Sequence, residues 1–209
     1  MNYATVDYQA THPPVKGDFW QLYALTQQLV GEKVLFGALS YPNELTIHFG
    51  AAVEVKGPRG VILHEGTYIL GTVASGWRIK SAPQGRTVFG RAFPVAESYG
   101  AGFPRATQVI DEVKFEEFLK RVGGATVRAV DLAVHLHGYV LGIWISDGSI
   151  VEVYPLPDHF EIGPEDPIPV RPPDWELFTP YKRYLRVGPG EQWAYLPTDV
   201  LEEVKPKGT

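Results

Sequence analysis

The sequence predicts an α+β protein of two pseudo-repeats, each one helix followed by about four antiparallel strands, packed into one compact body. Three observations carry that prediction. Two stretches place apolar residues at helical spacing, and glycine closes each of them. Period-two alternation takes over after each stretch. The chain also spends 22 glycines and 18 prolines among 209 residues, so turns are frequent and long helices cannot dominate.

Asp18 opens the first helix, with Gln21 at capping-box distance. Phe19, Leu22, Tyr23, Thr26, Leu29 and Val30 recur at spacings of three and four, and Gly31 sits where a left-handed cap would stop the helix. From Lys33 the period is two. Leu45, Ile47 and Phe49 alternate with Glu44, Thr46 and His48. Further strands are expected at Ala52–Lys56, Gly60–Leu63, Tyr68–Val73 and Trp77–Lys80, each bounded by Gly, Pro or Ser. Residues 81–110 read as an irregular connection, with a short strand at Thr87–Phe89.

Asp111 opens the second helix, whose Phe115, Phe118, Leu119 and Val122 form one stripe ending at Gly123-Gly124. Alternation returns over Val127–Leu136 and Tyr139–Ser146. Asp147-Gly148 is a strong hairpin signal leading into Ser149–Tyr154. An acidic, Pro-rich loop at 155–174 precedes strands at Trp175–Phe178, Arg183–Val187 and Gln192–Tyr195, and a short helix is expected at Thr198–Val204.

The halves read alike. Gly31-Glu32-Lys33-Val34 parallels Gly124-Ala125-Thr126-Val127. Leu45, Ile47 and Phe49 parallel Leu141, Ile143 and Ile145, and Trp77 answers Trp193. The expected organisation is a first helix-plus-sheet repeat at 1–80, the connection at 81–110 and a second repeat at 111–209, a period of roughly 95 residues.

Composition narrows function. A net charge of −5 argues against a general nucleic-acid binder. The absence of cysteine excludes disulfides, thiolate metal sites and Cys nucleophiles. No apolar run approaches the roughly 18 residues of a membrane span, and Met1–Asp7 lacks the character of a signal peptide, so a cytoplasmic protein away from the membrane is expected. Neither a Gly-rich phosphate loop, a His-Glu-x-x-His motif nor a Gly-x-Ser-x-Gly elbow is present.

Three clusters remain as candidates. Asp131, His135 and His137 share strand parity, and two imidazoles beside a carboxylate suit a divalent metal; the same positions also suit the wet face of a half-buried strand. The loop at 155–174 gathers Asp158, Glu161, Glu165 and Asp166 around Phe160, stiffened by prolines, and could dock on a basic protein surface. Arg78, Lys80, Arg86 and Arg91 lie in a stretch without acidic residues and could hold an anion or balance that loop internally. Among the five tryptophans, the parity of Trp144 leaves it free to stand exposed, whereas core packing suits most of the others.

The segments Trp175-Glu176-Leu177-Phe178-Thr179-Pro180, Val187-Gly188-Pro189-Gly190 with Trp193, and Leu29-Val30-Gly31 leading to Leu45, Ile47 and Phe49 resemble a pattern in uncharacterised bacterial proteins. Those proteins are similar to the small acidic immunity-type domains found beside bacterial toxins. The resemblance implies binding rather than catalysis and assigns no catalytic residue or cofactor. The expected function is therefore an immunity- or adaptor-like binding protein using Asp158, Phe160, Glu161, Glu165 and Asp166. The alternatives are a metal-dependent enzyme or small-ligand binder built on Asp131, His135 and His137, or a structural subunit of a larger assembly.

Overall fold

A computed structural model describes residues 18–40, 44–56, 61–72, 75–81, 86–91, 112–155 and 173–198. The Asp18 carboxylate accepts the Trp20 N–H at 2.9 Å and so caps helix α1 (Phe19–Thr26), which tightens into a 3₁₀ turn at Gln27–Leu29. Helix α2 runs Glu112–Val122. Both helical segments end where the sequence places glycine, with Gly31 at φ +93° and Gly124 at φ +79°, a region that costs a residue with a Cβ about 1–2 kcal/mol.

Among the described residues the strands form two antiparallel sheets. The first has six strands, ordered β1 (Val34–Ser40), β2 (Glu44–Lys56), β3 (Ile62–Thr72), β9 (Trp175–Thr179), β10 (Arg183–Val187) and β11 (Trp193–Pro197). The second has five, ordered β5 (Arg86–Arg91), β4 (Gly76–Ser81), β8 (Ser149–Tyr154), β7 (Gly138–Ile145) and β6 (Val127–His135). The molecule is thus a mixed α+β protein dominated by antiparallel sheet.

The structure bears on three expectations. The four strands expected between Leu45 and Val73 are two long ones, because Gly50, at φ +88°, lies in a β-bulge between Phe49 and Ala52 and does not end the strand. The short strand expected at Thr87–Phe89 is present as part of β5, paired to β4. The sheets are also not divided by halves. β4 and β5 leave β1–β3 to pair with β8, while β9–β11 leave β6–β8 to pair with β3. Each exchange covers an apolar strand edge that would otherwise be open. Among the described residues, five strands follow α1 and six follow α2. The helix expected at Thr198–Val204 lies, beyond Thr198, outside the described residues.

One contiguous core draws on both sheets and both helices. Leu45, Ile47, Leu70, Trp175 and Leu177 come from the first sheet, and Trp77, Ile79, Leu141, Ile143 and Val151 from the second. Leu22, Leu29, Phe118 and Val122 cover them from the helices. Where β1 and β6 begin, the chain crosses itself. Lys33 bridges Thr126 in antiparallel sense, and four main-chain hydrogen bonds surround that bridge. The N–H groups of Gly31 and Val127 donate to Val127 O and Glu32 O at 2.9 and 2.8 Å, and those of Gly124 and Val34 donate to Val34 O and Ala125 O at 2.7 and 2.8 Å.

Candidate functional site

The outer face of the second sheet brings together residues that lie far apart in sequence. Register sets Arg78 (β4), Glu152 (β8), Gly142 (β7) and Asp131 (β6) in a single row across four strands. Glycine at the third position leaves a gap between the charged flanks. Two adjoining hollows, of about 330 and 400 Å³, share Ala133, Val140 and Glu152 as their floor. Together they make a trough along the strands. Its β4 wall carries Arg78 and Lys80, and its opposite wall carries Asp131, His135 and Trp144.

Each wall is fixed by its own contacts. Glu152 accepts hydrogen bonds from Arg78 Nε and, at 2.8 Å, from Lys80 Nζ. Burial alone would raise the Glu152 carboxyl, but the hydrogen bonds and charges of Arg78 and Lys80 outweigh it and hold the group below the usual glutamate range. The Arg78 guanidinium also lies 5.5 Å from the centre of the Tyr154 ring. That ring occupies the space a Cβ on its cross-strand partner Gly76 would need. On the other wall, Trp144 Nε1 donates to Asp131 Oδ2 at 2.6 Å, which orients an indole that is 40% exposed.

The trough thus unites two of the three candidate clusters. Arg78 and Lys80 are present, but the anion they hold is Glu152, so the internal balance weighed from sequence is met by a side chain on β8. Arg86 and Arg91 bound β5, the next strand outward from β4. Asp131 and His135 share a face as their parity requires. Asp131, however, is turned to Trp144, and His137 lies in the turn beyond β6, its ring centre 6.0 Å from that of His135. Among the described residues no three His, Asp or Glu side chains are grouped to hold a metal ion. Asp158, Phe160, Glu161, Glu165 and Asp166 lie outside the described residues, although Pro155, which lines the trough, is the point from which their segment departs.

Trp144 is exposed as expected, and Trp20 is 70% exposed on α1. His48, on the polar face of β2 by sequence, is buried. It stacks on Phe36 with ring centres 4.0 Å apart, and its Nδ1 accepts the Gly66 N–H at 3.0 Å. Burial lowers its pKa, consistent with a neutral structural imidazole. Sequence reading did not set Glu152 beside Arg78, and it missed Gly142 and Tyr154 as parts of the site. Glu152 had a faint signal, being the charged residue of an otherwise apolar strand. Its pairing with Arg78 spans 74 residues and depends on register.

No helix among the described residues is long and apolar enough to cross a membrane. Comparison with known proteins finds no family model, no curated protein and no solved structure that matches the chain.

Proposed function

We propose that the chain is a non-catalytic binding protein that holds an extended segment of a protein partner in the trough of the second sheet. One observation carries this reading. The row Arg78–Glu152–Gly142–Asp131 presents charges already fixed by internal partners on either side of a glycine gap, beside an exposed indole. Side chains locked in advance lose little entropy on binding, and tryptophan and arginine are the residues that most often anchor such contacts. Chemistry is less well served. Glu152 is held ionised between two cations, which suits charge pairing rather than proton donation.

Pro155, the first residue of the acidic stretch 155–174, lies at the rim of the trough. A partner with a basic surface, such as the toxin-like proteins with which immunity-type domains are paired, meets both features. A phage-displayed dodecapeptide library panned on the full chain tests the trough. Selected peptides should lose at least about tenfold in affinity on Trp144→Ala and on Gly142→Val. Peptides that bind these variants as tightly as the wild type, or a library that yields none, would remove the trough from the reading. Reversing Asp158, Glu161, Glu165 and Asp166 to Lys should separately weaken a basic partner and flatten the salt dependence of its affinity.

The repeat is proposed on the same footing: the two halves are copies of one unit whose fourth strands have been exchanged. The hydrogen bonds around Lys33 and Thr126 support this, because each bond has a counterpart 93 residues away. A bulge follows Val34 in β1 and Val127 in β6, at the same offset. In this arrangement the counterpart of Trp77 is Trp175 rather than Trp193. Each is the buried tryptophan of the strand that crosses over, opposite Val153 of β8 and Thr72 of β3 respectively.

A further inference from the structure

The far end of the β2–β3 hairpin stands apart from the rest of the first sheet. β1 pairs with β2 no further than Phe49, and β9 pairs with β3 only from Ile69 onward. Over Ala52–Lys56 and Ile62–Gly66 the two strands therefore have only each other among the described residues. A lone two-stranded ribbon is marginally stable in water, and this one exposes large apolar side chains: Val53 by 41%, Val61 by 55%, Ile62 by 62% and Leu63 by 41%. Neither edge carries the proline or the run of charges that usually guards a free strand.

We propose that this arm is a self-association surface, in which the β2 edges of two copies pair antiparallel about a two-fold axis at Val55. Directly opposed residues in an antiparallel pair share a face, so each register places one residue of β2 opposite its own copy. A Glu54 axis opposes Glu54 to Glu54, and a Lys56 axis opposes Lys56 to Lys56. A Val53 axis leaves Glu54 facing Ala52. With Val55 on the axis, Glu54 of each copy faces Lys56 of the other, giving two opposite-charge pairs from one symmetry operation. The β3 edge offers no such match, since its only carboxylate, Glu65, finds no cation on that strand.

The same register settles the apolar residues. Within one chain Val55 is opposite Leu63, so the joined ribbons carry a four-residue ladder, Leu63–Val55–Val55–Leu63, across one face of a four-stranded sheet. Four strands with a shared apolar face pass the stability limit that two do not.

Sedimentation equilibrium on the full chain and its charge variants tests the proposal. The wild type should show a monomer–dimer equilibrium. Glu54→Lys and Lys56→Glu, both at exposed positions, should each raise the dimer Kd by about tenfold, since each turns two attractive pairs into repulsive ones. The double variant should return to the wild-type Kd. A mixture of the two single variants should form the heterodimer in preference to either homodimer. A wild type that stays monomeric overturns the proposal, as does a dimer that neither single variant weakens.

Discussion

Two carboxylates in similar cross-strand settings are driven in opposite directions by what surrounds them. Glu152 receives two cationic donors and titrates below its ordinary value. Glu176, opposite Arg186 on β10, is desolvated more than Arg186 can offset, and with Glu44 nearby its carboxyl is pushed up to about 7. The consequences for stability have opposite signs. The depressed Glu152 contributes stability that is present above the normal glutamate pKa and is lost as pH falls through its own lower value. The raised Glu176 contributes stability that is full below the normal pKa and is lost as pH rises through about 7, amounting to about 3 kcal/mol from a shift of that size. The expected stability maximum is therefore weakly acidic. Denaturant unfolding of Glu176→Gln against wild type should show a difference that moves in the variant's favour between about pH 5 and pH 8. A difference that stays flat over that range would mean that Arg186 keeps the carboxylate ionised without cost.

At the level of elements, the crossing between β1 and β6 depends on two glycines. A Cβ added at Gly31 or Gly124 meets nothing within 4 Å, so the cost of substitution is set by backbone conformation alone. Gly31→Ala and Gly124→Ala should each destabilise by about 1 kcal/mol, read as a lower urea midpoint at unchanged slope. These glycines were legible in the sequence because a periodic apolar stripe stops at each. The Asp147-Gly148 hairpin was legible for a similar local reason, and Gly148 takes φ +89°. What the sequence concealed was non-local. Nothing in β3 announces that its outer edge belongs to β9 rather than to β4. Gly50 reads like a strand end because a bulge and a turn call for the same residue. The trough was half visible for the same reason. Parity placed Asp131 with His135 and exposed Trp144, while the union of that wall with Arg78 and Lys80 waited on pairings of β8 with both β4 and β7.

For the whole molecule, the exchange of strands makes the two halves interdependent. Without the second half, β3 loses β9, and β4 with β5 is a two-stranded ribbon whose Trp77 and Ile79 face solvent in place of Phe115 and the β8 side chains. Without the first half, β8 loses β4, and β9–β11 keep Trp175 and Leu177 on a short sheet with an open edge. Leaving a fully buried large apolar side chain exposed costs about 1.5–3 kcal/mol, and two such residues in each half are a large part of the 5–15 kcal/mol that holds a typical domain together. Residues 1–110 and 111–209 expressed separately should therefore lack cooperative unfolding, although each holds a helix and a meander of its own. Mixed in equal amounts they should recover strand-type circular dichroism and a blue-shifted tryptophan emission, since every lost edge finds its partner in the other fragment. The intact chain should unfold in one transition by both signals. A fragment that unfolds cooperatively alone would show that one meander and its helix suffice for a core, leaving the exchanged strands as an attachment between two domains rather than the framework of one.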